Sequence, residues 1–271
     1  MPMKIFDRLL LAAGFFFCIP LGAAQAAGLR LSPLRLDLSV QQTATQVELS
    51  NLSATPVAVQ VKAFRWRQEQ GQDVYEPTKD IFFAPPIVTV PGQGKTVVRF
   101  RLRAAIPKDQ EGAYRIYFQE VPPASESSSG AGMTFRVRFG VPLFVNPVKP
   151  VKPRLATTLA QEPERLRLTL ENTGATHLKI QGVDLFPAGV NTEQPDQAPL
   201  ASASHSVLGA NYLLPGSRHE WELKLPAATD LAATRLLIRT DDYSGQSAPG
   251  MTSQGWLWLP LSSGGTPAAK P

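Results

Sequence analysis

Chemistry needs reactive side chains at short, defined spacing, and this sequence offers few such sets. His177, His205 and His219 are its three histidines. None stands in an H-x-x-x-H pair, and the single cysteine, Cys18, lies in an apolar N-terminal run, so no zinc-ligand spacing exists. All three read as surface or turn histidines. Serines are plentiful, but no G-x-S-x-G elbow presents one as a nucleophile. Gly92-Gln93-Gly94-Lys95 has the outline of a phosphate loop. It follows Pro91 and leads into a strand-like run, so the helix N-terminus that would hold phosphate is missing, and it reads as a hairpin turn. Asp241-Asp242 supplies two acidic groups where calcium takes six or more oxygens. These residues predict a protein that is not an enzyme and uses no metal or cofactor.

The elements that carry the side chains are strands. Period-2 alternation dominates and helical periodicity is nearly absent. Leu29 and Leu31, then Leu34, Leu36 and Leu38, alternate on either side of Pro33, which suggests an edge strand that breaks and shifts register. Val47 and Leu49, Val57 to Ala63, Ile87 to Val90, Val97 to Leu102, Tyr114 to Val121 and Met133 to Val145 continue the pattern. Turn residues separate them at intervals of roughly 8–12, the spacing of an immunoglobulin-like sandwich. Leu166 to Leu170, Leu178 to Leu185, Trp221 to Leu225, Thr234 to Thr240 and Gly255 to Leu261 repeat the theme. Between the halves, Pro147, Pro150 and Pro153 make an extended connector without ladder hydrogen bonds. The expected fold is all-β: two immunoglobulin-like β-sandwich domains joined by a short Pro-rich hinge, over residues 27–147 and 148–261. Residues 262–271 are expected to be a disordered tail.

Residues 1–26 read as a signal peptide. Lys4 and Arg8 precede an apolar run of 13 residues, Leu9 to Leu21, and Ala24-Gln25-Ala26 closes it. The run is too short for a membrane span, which needs roughly 20 residues. The mature chain is therefore expected in the periplasm, without membrane insertion and without any disulfide, since Cys18 leaves with the signal. The net charge of +5 falls to about +4, scattered rather than blocked, which argues against nucleic acid as a partner.

One segment stands apart. In Met133 to Val141, one face is Met133, Phe135, Val137, Phe139 and Val141, and the other carries Thr134, Arg136, Arg138 and Gly140. An ordinary half-buried strand has this pattern. A long strand of such large apolar residues is also an aggregation hazard when it lies at an edge. A protein that keeps one has a use for it in strand addition to a partner.

At these residues the chain resembles the PapD-like periplasmic pilus chaperones of chaperone–usher systems, in particular their archaic branch. The matching stretches are Leu34-Arg35-Leu36, Asn51, Ala84-Pro85-Pro86, Val90-Pro91-Gly92, Lys95 to Arg99, Tyr114 to Phe118 and Glu120-Val121-Pro122-Pro123. Leu143-Phe144, Pro147, Glu171-Asn172-Thr173, Gly182, Leu214-Pro215-Gly216 and Asp241 to Gly245 extend the resemblance into the second half. It implies a chaperone that lends a donor strand to pilus or fimbrial subunits and delivers them to an outer-membrane usher. Met133, Phe135, Val137 and Phe139 would be the groove-filling side chains. The subunit's C-terminal carboxylate would be anchored by Arg35 and a second cation. The family's lysine falls on Pro142, which leaves Arg115 as either the substitute anchor or an outward surface arginine. An interdomain ion network would map to Arg99, Glu111 and Asp242. A structural pilus subunit or adhesin is the alternative, and a sugar-binding or hydrolytic sandwich would need more clustered aromatics than Trp256 and Trp258.

Overall fold

A computed structural model describes residues 28–122, 136–149, 152–162, 164–191, 198–203, 212–226, 229–241 and 256–260. The N-terminal segment, Met133, Phe135, Asp242 and the C-terminal tail lie outside the described residues. Among the described residues, ten strands build the first half. They are β1 (Leu29–Ser32), β2 (Leu36–Leu38), β3 (Ala44–Asn51), β4 (Val57–Glu69), β5 (Gln72–Pro77), β6 (Ile81–Ala84), β7 (Ile87–Val90), β8 (Lys95–Leu102), β9 (Gly112–Val121) and β10 (Arg138–Val145). One sheet has the order β1-β3-β8-β6; the facing sheet has β2-β10-β9-β4-β5, with β7 also on β4.

The alternation places Val47, Leu49, Val98, Phe100, Ile116 and Phe118 between these sheets, each at most 1% exposed. Burying a large apolar side chain stabilises by roughly 1.5–3 kcal/mol, so this layer holds the sandwich without covalent help.

Two local readings of the sequence change. Pro33 does more than shift a register, because β1 pairs with β3 in one sheet while β2 pairs with β10 in the other. The turn at Gly92 to Lys95 is tight, with Gly94 N–H donating to Pro91 C=O at 3.0 Å. It joins β7 on β4 to β8 on β3, so it is a corner between sheets and not a hairpin. A Cβ on Gly92 would stand 2.0 Å from the Ala54 carbonyl oxygen, which leaves glycine as the fitting residue.

The second half has β11 (Leu155–Glu162), β12 (Arg165–Asn172), β13 (Leu178–Pro187), β14 (Ala201–Ala203), β15 (Tyr212–Leu213), β16 (Arg218–Lys224), β17 (Thr234–Asp241) and β18 (Trp256–Pro260), with a 3-10 turn at Leu231–Ala233. Sheets β11-β12-β16 and β14-β13-β17-β18 enclose Leu166, Leu168, Leu170, Val183, Leu185 and Ile238. The two sandwiches share a device. Asn51 and Asn172 each end a strand with a buried amide. Asn51 Nδ2 donates to Thr55 C=O at 2.7 Å, and Asn172 Nδ2 donates to Thr176 C=O at 2.7 Å. Each side chain thus satisfies backbone groups in the following turn. Among the described residues no helix is long and apolar enough to cross a membrane.

Asp80 ties β4 to β9. It pairs with Arg65 and accepts a hydrogen bond from Tyr114 Oη at 3.1 Å. Burial pushes its carboxyl up, but the Arg65 guanidinium and the Tyr114 and Thr78 hydroxyls outweigh that and hold it below the usual carboxylate range. Burial pushes the Tyr114 phenol up to about 12. A depressed folded pKa contributes stability above the unfolded value, near pH 4, and that stability disappears as pH falls through the folded value. The melting temperature of Asp80→Asn is therefore expected to lose part of the wild-type decline below about pH 4. The effect at neutral pH is at most about 1 kcal/mol, because Arg65 is half exposed. Melts from acid to neutral pH measure it; parallel curves for the two proteins would remove Asp80 from the acid response.

Candidate functional site: the free edge of strand β10 and the cleft beside it

Strand β10 pairs with β9 along its whole length, from Arg138↔Gln119 to Val145↔Gly112. On its other side β2 covers only Leu143, Phe144 and Val145, in parallel. Among the described residues, no strand covers that edge from Arg138 to Pro142. Unpaired N–H and C=O groups there make a template for another extended chain. The side chains of this segment divide by parity. Val141 is core at 2% exposure, and Phe139 packs partly buried against the same core. Val137, just before the strand, is half-buried and its carbonyl accepts from Glu120 N–H at 3.2 Å.

Arg138, Gly140, Pro142 and Phe144 belong to the opposite face, which looks toward the second domain. A cleft of about 440 Å³ opens there, lined by Leu34, Arg115, Tyr117, Arg138 and Pro142 from the first domain and Lys179 and Tyr212 from the second, with Asp73, Tyr75 and Gly140 completing the wall. Arg115 is 7% exposed, lies 3.9 Å over the Trp66 ring and donates from Nη1 to Gly140 C=O at 3.4 Å. Arg138 stacks 3.7 Å over the Tyr117 ring. Both guanidiniums are thus held by aromatic faces, a geometry worth more when water is partly excluded. A Cβ at Gly140 would stand 3.0 Å from Tyr117 Cε1 and 3.4 Å from Arg115 Cδ, so the missing side chain is what admits these two residues. Burial raises the Tyr75 phenol above its ordinary range, which keeps it a neutral donor in the cleft wall.

Arg35 sits just ahead of β2, at the point where β2 takes over the edge of β10. Its Nε and Nη2 both donate to Asp37 Oδ1, at 3.1 and 2.7 Å, and its Cζ lies 5.3 Å from the Phe144 ring centre. The side chain keeps 17% of its surface exposed.

The domains are joined by buried contacts. Phe144, fully buried, clusters with Trp66, Tyr212 and Leu214. His177 stacks on Phe144 at 3.7 Å with planes 9° apart. Its Nδ1 lies 2.8 and 3.0 Å from the two oxygens of Glu111, and its backbone N–H donates to Glu111 Oε2 at 2.7 Å. A carboxylate only accepts, so Nδ1 carries the proton. The Gln68 amide donates to Tyr212 C=O at 2.8 Å and accepts from Leu214 N–H at 2.9 Å, in effect adding a strand contact across the interface.

These positions revise several expectations. His177 is not a surface residue: its side chain is 8% exposed and it is the partner of Glu111. Arg99 is exposed on β8, between Gln46 and Ala84, and forms no ion pair among the described residues. It belongs to the sheet remote from the second domain, so Glu111 meets an imidazole instead of a guanidinium. Asp242 is outside the described residues; its neighbour Asp241 pairs with Lys179 Nζ at 2.9 Å. Arg115 is neither outward nor solvated. Arg138, on the polar face of its segment, lines the cleft. Arg138 and Lys179 carried no sequence signal, since a lone cation on an alternating strand reads as a solvated face. His177 had only its position just after the turn that follows Asn172, which period-2 reasoning does not weigh.

Residues 28–150 match the family described as pili and flagellar-assembly chaperone, PapD N-terminal domain. The chain is 28% identical over 149 residues to the chaperone protein PmfD of Proteus mirabilis (strain HI4320). That stretch is 53% of this chain and 56% of PmfD, so the likeness spans a little over half of that relative. Among solved structures, a chain in the CsuC–CsuE chaperone–tip adhesion subunit pre-assembly complex, from archaic chaperone–usher Csu pili of Acinetobacter baumannii, aligns with a TM-score of 0.56 at 19% identity, covering 79% of this chain and 94% of that one. A chain in the complex of the Salmonella enterica SafA pilin with the SafB chaperone aligns with a TM-score of 0.54 at 17% identity, covering 88% and 99%. At these identities the two structures establish the fold, a pair of immunoglobulin-like sandwiches.

Proposed function

We propose that this chain, which resembles the PapD-like pilus-assembly chaperones through its N-terminal domain, captures pilus subunits in the periplasm by lending them a strand and passes them to an outer-membrane usher. The reading makes it a binding protein and not an enzyme. The observation that carries it is the open edge of β10 from Arg138 to Pro142, with Arg35 standing at the end of that edge. A chain added there occupies the line that β2 continues. If it runs parallel to β10, as β2 does, its C-terminus arrives at Arg35; if antiparallel, its N-terminus does. A guanidinium favours the carboxylate, so charge selects the parallel orientation.

On this reading Met133, Phe135, Val137 and Phe139 fill an apolar groove of the subunit, while Arg35 and Arg115 hold its terminal carboxylate. Glu111, through His177, holds the two domains at the angle that keeps the cleft open. Backbone hydrogen bonds supply affinity and the alternate side chains supply fit, the division of labour of strand addition.

The test separates lent side chains from core ones. Phe135→Ser and Val137→Ser are expected to remove capture of a co-expressed subunit while the melting temperature stays within a few degrees of wild type. Val141→Ser, which places a hydroxyl in the core, costs about 2–4 kcal/mol and should lower the melting temperature by roughly 10 °C. If Phe135→Ser and Val137→Ser melt as early as Val141→Ser, the segment is ordinary core and the donor assignment fails.

A further inference from the structure

Pro142 faces Arg115 across β9 and β10 and contributes neither charge nor N–H to the cleft. Arg35 is already engaged by Asp37 through two of its nitrogens. Beside Arg115, the cleft wall holds a further cation, which belongs to the second domain. Lys179, on β13, lines the same cavity as Pro142 and Arg115, with 29% of its side chain exposed. Asp241 holds its Nζ at 2.9 Å from the neighbouring strand β17, and Tyr212 lies beside it in register on β15.

We infer that Lys179 joins Arg35 and Arg115 as a third cation for the terminal carboxylate of the bound chain, so that the anchor spans both domains instead of lying in the first alone. The inference rests on the strand-addition reading above and adds to it the residue and its origin. A carboxylate held between Arg35 and Arg115 on one side and Lys179 on the other couples the bound chain to the domain angle. Asp241 orients the ammonium toward the cleft, and the phenols of Tyr75, Tyr117 and Tyr212 limit the entry of water around it.

The test uses a synthetic peptide of alternating threonine and valine with a lysine at its N-terminus, made once with a free C-terminal carboxylate and once as the amide. Affinities of both for the full-length secreted protein are measured by fluorescence anisotropy, for wild type, Lys179→Gln, Lys179→Arg and Asp241→Asn. Wild type is expected to prefer the acid over the amide. Lys179→Gln should reduce that preference roughly tenfold, the loss of one charge-assisted hydrogen bond, with amide binding unchanged. Lys179→Arg should keep most of the preference, and Asp241→Asn should keep part of it. If wild type prefers the acid and Lys179→Gln retains the full preference, Lys179 is only the partner of Asp241 and the inference is overturned while the strand-addition reading stands. If wild type binds acid and amide alike, the carboxylate anchor itself falls, and this inference with it.

Discussion

Arg35→Ala is expected to abolish stable capture of a subunit and to leave the protein folded. The physical reason lies in where Arg35 stands. It follows the crossing from one sheet to the other at Pro33, and it marks the residue at which β2 replaces the open edge of β10. A parallel chain added to that edge ends against its guanidinium. A carboxylate left there without its partner is a desolvated charge, and removing one member of such a pair costs roughly 3–5 kcal/mol. That corresponds to a loss of affinity of about a hundredfold or more. The cost to the fold is small. Arg35 bonds Asp37, whose side chain is 42% exposed, and a pair of that kind contributes at most about 1 kcal/mol. Co-purification of a tagged subunit from periplasmic extract, with a thermal melt of the same variant, measures both halves. Wild-type recovery of the subunit would end the anchor assignment; a collapse of the melt would make Arg35 structural.

Phe144→Ala is expected to have the largest effect on stability. Phe144 follows core residue Leu143 on β10 but belongs to the other face, where it is fully buried by the second domain. It touches both sides of the interface: Trp66 at 6.1 Å on the first domain, and His177 at 3.7 Å and Tyr212 at 5.4 Å on the second. Truncation of a buried phenylalanine costs roughly 3–5 kcal/mol. For a chain of this size that lowers melting by about 10 °C. The cavity also removes the surface that His177 stacks on, so the Glu111 contact loses its backing. The two sandwiches should then unfold in separate calorimetric transitions where the wild type unfolds in one. A single transition displaced downward would mean that Glu111, His177 and Gln68 couple the domains without Phe144.

How far the sequence could be read depends on which side of each strand a residue faces. Val47, Leu49, Val98 and Phe100 announce a buried face by alternation, because burial between sheets demands an apolar residue at every second position. The β4–β5 hairpin escaped that test. Arg65 and Arg67 alternate with Trp66 and Gln68 on β4, and β5 is mostly polar, so neither face of residues 64–77 reads as core. Its turn is Gln70-Gly71 with φ of 51° and 77°, a pair of left-handed residues in which glutamine stands where asparagine is the usual signal.

Composition and alternation alone determined an all-β chain in two halves and marked Met133 to Val141 as its most apolar unexplained segment; Arg35 as a candidate anchor came only from the resemblance to the PapD-like chaperones. The tertiary structure decided what lies between the halves. Phe144 and Arg115 sit at positions that alternation assigns to solvent, and they are buried because a second sandwich covers that face of the first, while Arg138 and Lys179 line the cleft that the same contact forms. The same contact turns His177 from a turn residue into the buried partner of Glu111, and it leaves Arg99 on the far sheet. Periodicity reports burial within one sandwich. It carries no information about a surface that becomes interior when two sandwiches meet, since the residues there must suit both the strand that bears them and a partner far away in the chain.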